Sequence, residues 1–103
     1  MMNKMREKEK CKKYSVTFTF DKSEMTNLYD FAKLKLFDEY FTVDWASGNI
    51  CKINYRDILE VQIVHHGFYS WVEIKSKQLT VYVMCSKNRK IADYLKERCC
   101  LGE

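Results

Sequence analysis

The sequence has no proline and only three glycines. Polyproline ligands and flexible linkers depend on those residues, so neither class fits. No apolar run is long enough to cross a membrane as a helix. The charged first residues are not followed by an apolar segment, so no signal peptide is expected. Five cysteines are present, Cys11, Cys51, Cys85, Cys99 and Cys100, but no Cys-x-x-Cys pair occurs. An odd count without ligand spacing argues against a disulfide framework and against a zinc ribbon. Free thiols in a reducing cytoplasm are the expectation.

What is present is a chain of 103 residues, 47% apolar and 15% aromatic, which fits one globular domain. The net charge of +4 is unevenly placed. Residues 1–13 hold six basic and two acidic groups, and the rest of the chain balances twelve against twelve. The expected organisation is therefore a flexible basic arm over 1–13 and a single neutral domain over 14–103.

The chain is organised around Ile50 to Cys85. Period-two alternation with short polar breaks predicts an antiparallel meander there, through Ile50–Tyr55, Ile58–Val64, Phe68–Lys75 and Leu79–Cys85. Leu59, Val61 and Ile63 are expected on one face, as are Phe68, Val72 and Ile74. Tyr14 to Phe20 alternates as an earlier strand, and Glu39 to Trp45 as another, with a turn at Ala46–Asn49. Between them Met25, Leu28, Tyr29, Ala32 and Leu36 fit a helical face, although Ala32 to Phe37 also alternates as a strand. A last helix runs from Asn88 to Cys99, capped by Ser86 or Asn88, with Ile91, Leu95 and Cys99 as its apolar stripe. The predicted class is α+β: a strongly bent antiparallel sheet or partly open barrel, with an N-terminal strand and helix and a C-terminal capping helix.

This order resembles a pleckstrin-homology-like domain of the bacterial PH/GRAM (YcxB-like) type. The residues that carry the likeness are Phe41-Thr42-Val43, Ser47-Gly48-Asn49 and Ile53 to Val61 with its Asp57-Ile58-x-x-Val61 step. Trp71-Val72-Glu73-Ile74, Val81-Tyr82-Val83 and the helix around Ile91, Tyr94 and Leu95 complete it. The resemblance implies a non-catalytic module that binds a peptide, a protein surface or a lipid head group. Relatives that bind phosphoinositides use basic residues in the first hairpin. Here Ala46 to Asn49 has none before Lys52, which argues against a lipid head group at that hairpin.

Several residues are candidates for contact. Tyr69, Trp71 and Tyr82 are expected either as an aromatic outer surface of the sheet, suited to a protein partner, or as residues that a curved sheet buries on its second face. His65 and His66 sit at a turn. Neighbours on a strand point to opposite faces, so they cannot readily share a metal, and no metal or other cofactor is expected. Lys87, Arg89 and Lys90 place positive charge where the helix dipole is already positive, a hint of an anionic partner. No catalytic constellation is recognisable, because Cys99 and Cys100 have no base near them in sequence.

The expected function is thus a small non-enzymatic module that acts through protein contact, as an inhibitor or adaptor of the kind a phage or mobile element carries. The competing class binds an anionic ligand, a lipid head group, membrane surface or nucleic acid, through residues 1–13 and the Lys87 to Lys90 cluster. A strand edge left open is also a candidate homodimer contact.

Overall fold

The protein is described by a computed structural model over residues 11–21, 31–45 and 48–99. Seven strands form one antiparallel sheet. They are β1 (Lys12–Thr19), β2 (Phe31–Leu36), β3 (Tyr40–Trp45), β4 (Gly48–Asn54), β5 (Ile58–His66), β6 (Tyr69–Ser76) and β7 (Thr80–Met84). One turn of 3-10 helix, Tyr55–Asp57, joins β4 to β5, and helix α1 spans Asn88–Cys99. The spatial order is β4-β3-β2-β1-β7-β6-β5, so the first strand is central and the sheet is not closed.

The inner face carries the core. Leu34 and Leu36 of β2 pair with Val43 and Phe41 of β3, and Val72 and Ile74 of β6 pair with Val83 and Val81 of β7. All eight are shielded from solvent. Helix α1 lays Ile91, Ala92 and Leu95 into the same core and packs against β5, β6 and the 3-10 turn. Seven flat strands would be roughly 30 Å wide, whereas a helix is only about 10 Å across. The one helix of the described residues cannot roof such a width, yet Leu34 and Val43, far from it in strand order, are fully buried and belong to the same core cluster as Ile58, Val61 and Ile91. The sheet therefore bends over its own core. Burying each such side chain contributes about 1.5–3 kcal/mol.

Three expectations about the sheet are corrected. Residues 31–36 are a strand and not the end of a helix, because Ala32, Leu34 and Leu36 all point inward at period two. The first part of the expected helix, with Met25, Leu28 and Tyr29, lies outside the described residues. Leu59 is exposed and does not share a face with Val61 and Ile63. The pairing of β5 with β6 slips between Ile58 and Glu60, and this bulge puts one extra residue between the inward Ile58 and Val61. Phe68 belongs to the turn, not to the inner face of β6.

The described strand also begins at Lys12, two residues inside the expected arm, and residues 1–10 lie outside the description. Among the described residues, no helix is long and apolar enough to cross a membrane.

Candidate functional site

The outer face of the sheet is apolar in one row. Cross-strand pairing lines up Phe31 of β2, Thr17 of β1, Met84 of β7, Trp71 of β6 and Val64 of β5. The neighbouring row holds Thr19, Tyr82, Glu73 and Gln62. Trp71 is 0% exposed and Tyr82 6%, and together with Val64 and Met84 they form a second small core. The expected aromatic outer surface of Tyr69, Trp71 and Tyr82 is corrected accordingly. Strand β6 is buried on both faces from Trp71 to Ile74, so of the three only Tyr69, at 41%, stands open to solvent. Glu73 is buried beside them and accepts a 2.6 Å hydrogen bond from Gln62 Nε2. Burial, followed by the hydrogen bond with Glu73, pushes the Tyr82 phenol above its ordinary range.

The remaining expected residues meet at one end of the molecule. Strands β5 and β6 are joined by the two-residue turn Gly67-Phe68. Gly67 adopts φ 66°, the positive value that tight hairpin turns require and glycine takes without strain. This turn holds Phe68 fully exposed. His66 pairs with Tyr69 and His65 with Ser70, on opposite faces as expected for neighbours. His65 Nδ1 and Ser70 Oγ share a hydrogen bond of 2.9 Å.

From Ser70 the linkage continues to the helix. Asn88 Nδ2 donates to the Ser70 carbonyl at 2.8 Å, and Asn88 Oδ1 accepts from the Cys85 backbone N–H at 2.9 Å. Asn88 is thus a fastener between β6, β7 and α1 and does not cap the helix's own donors. The first intrahelical bond runs from the Ile91 N–H to the Lys87 carbonyl. Lys87, Arg89 and Lys90 are exposed around this start, and the first turn contains no acidic residue. None of the three forms an ion pair among the described residues.

Chemically, Ser70 and His65 have the elements of a nucleophile and a base. No third group orients the imidazole among the described residues, and the pair stands on an exposed hairpin beside no described cavity. No cluster of three potential metal ligands occurs among the described residues. Cys11, Cys51 and Cys85 carry free thiols, Cys99 is half-buried against the core, and Cys100 lies outside the description.

Among the described residues, clefts also lie away from this hairpin. A groove of about 520 Å³ crosses β1, β2, β3 and β7, flanked by Phe31 at 63% and Trp45 at 54% exposure. A polar cleft of about 330 Å³ brings Asp38, Glu39, Arg56 and Arg98 around Tyr55. Phe31, Trp45 and Phe68 were not candidates from sequence. Only the Gly67 turn signal points to one of them, since a two-residue turn beginning at Gly67 puts Phe68 at its tip.

No protein-family model and no curated protein matches the chain.

Proposed function

We propose that this chain is a non-enzymatic binding module of the pleckstrin-homology-like type that acts through protein contact, as an inhibitor or adaptor in the cytoplasm. The run of antiparallel strands and the closing helix support the fold assignment, because they follow the order carried by the residues from Phe41 to Leu95. The observation that carries the functional reading is the aromatic tip, Phe68 and Tyr69. It is exposed, yet fastened to α1 through Ser70 and Asn88. Exposed aromatics on a rigid support are what protein interfaces use as anchors, since little side-chain freedom is lost when they dock.

A second reading, an anionic ligand, is favoured by the exposed cations Lys87, Arg89 and Lys90, which form no ion pair among the described residues. The two separate in one experiment. A partner is co-purified from the native cell, identified, and titrated in pure form against wild type, a chain lacking residues 1–10, and Tyr69→Ala. Protein contact predicts unchanged affinity for the shortened chain and loss in Tyr69→Ala. Binding to an oligonucleotide or anionic vesicle that needs residues 1–10 and collapses with salt would replace it with the second reading.

A further inference from the structure

We propose that the hairpin tip at His65–Tyr69 and the start of α1 form one docking surface, whose partner is a protein presenting an apolar pocket rimmed by carboxylates. This rests on the protein-contact reading and names the chemistry of the partner. Phe68 is the first element. It is fully exposed on a turn whose shape is set by Gly67, so its ring adds nothing to the described core. A phenyl ring held in water at a fixed position is an anchor that gains its burial only from outside.

Charge is the second element. Lys87, Arg89 and Lys90 surround the positive end of the helix dipole, with no acidic residue in the first turn. Like charge gathered there is unfavourable within the free chain, and carboxylates across an interface relieve it. Asp93 lies one turn on from Arg89 and Lys90, and with Glu97 it shares a cleft with Lys90 and Lys12, so Lys87, ahead of the helix, is the cation of the three furthest from these carboxylates in sequence.

Geometry favours a pocket rim over a flat anionic membrane. Lys87 and Lys90 are three residues apart and share one helix face, while Arg89 lies about 100° around the axis from Lys90. A plane reaches one of those directions, whereas a rim reaches both. The apolar footprint is also small, one full ring and one half-exposed ring.

The test selects binders from a displayed library of random peptides against the full chain. Enriched peptides are then synthesised and titrated against wild type, Phe68→Ser, the double variant Lys87→Glu/Arg89→Glu, and Leu59→Ser as an exposed control elsewhere. All are surface positions, so their unfolding midpoints should match wild type. The expected result is enrichment of Asp and Glu around an apolar residue. Affinity should fall at least about 30-fold in Phe68→Ser, and about 10- to 100-fold in the charge reversal. It should stay unchanged in Leu59→Ser. Peptides that ignore the tip variants but lose binding in Trp45→Ala overturn this surface and leave the protein-contact reading standing. Binding to phosphatidylcholine vesicles containing phosphatidylserine, with no peptide enriched, overturns it in favour of a membrane. Failure to bind either overturns this surface, and the protein-contact reading is then decided by the native-partner titration.

Discussion

The Phe37 carbonyl, in the turn between β2 and β3, is held by two tyrosines from distant elements. Tyr55 of the 3-10 turn donates to it at 2.6 Å, and Tyr94 of α1 donates at 3.2 Å. Tyr55 is buried, with its ring stacked on Phe41 at 6.4 Å and edge-on to Tyr94 at 6.3 Å. Replacement by phenylalanine keeps those ring contacts and removes one hydroxyl. In Tyr55→Phe the carbonyl keeps Tyr94, so the cost is that of one hydrogen bond, about 1 kcal/mol. Tyr94→Phe removes the longer bond and costs about 0.5 kcal/mol. In the double variant the carbonyl loses both donors, and the penalty for an orphaned acceptor is added. The double variant should therefore lose about 2–3 kcal/mol, exceeding the sum of the singles by about 1 kcal/mol. Urea unfolding followed by tryptophan fluorescence reads this directly, with an unchanged denaturant slope. Strict additivity, or a Tyr55→Phe variant as stable as wild type, would refute the shared-acceptor account.

Other outcomes follow from single groups. Burial pushes the Cys51 thiol up to about 11. At pH 8 it should therefore alkylate about 100-fold more slowly than a thiol of ordinary acidity, measured by mass spectrometry of iodoacetamide adducts. Burial also holds the Tyr55 and Tyr82 phenols above their usual range. An unfolded tyrosine titrates near pH 10. The native chain then binds more protons than the unfolded one above that pH, so stability is intact below about pH 10 and falls as pH rises beyond it. Unfolding midpoints at rising pH check this, and a flat profile would contradict it. Gly67→Ala meets open space but must hold φ 66°, so it should lose about 1 kcal/mol from strain alone in urea unfolding.

Strong periodicity made most of the fold legible. The limits of α1 were readable from Asn88 to Cys99, because Ile91 and Leu95 repeat at four while the flanking strand repeats at two. The strand at Phe31–Leu36 was ambiguous for a definite reason. Ala32 and Leu36 satisfy both a helical and a strand period, and only the inward Leu34 separates them. Trp71 and Tyr82 were placed on the wrong side of the solvent boundary. Alternation assumes that one face of a strand is wet, and β6 is buried on both. Leu59 was misplaced by a bulge that alternation cannot register. The proposed contact residues were readable in type but not in grouping. His65, Tyr69 and the Lys87 to Lys90 cluster are far apart in the chain, and the hydrogen bond from Asn88 to Ser70 brings them to one end.

This end of the molecule is the proposed contact surface. Backbone amide shifts recorded by NMR on the labelled full chain, with and without a selected acidic peptide, test it most directly. The largest changes should cluster at residues 65–70 and 87–90. Changes centred on the groove between Phe31 and Trp45, with the hairpin tip unmoved, would contradict it.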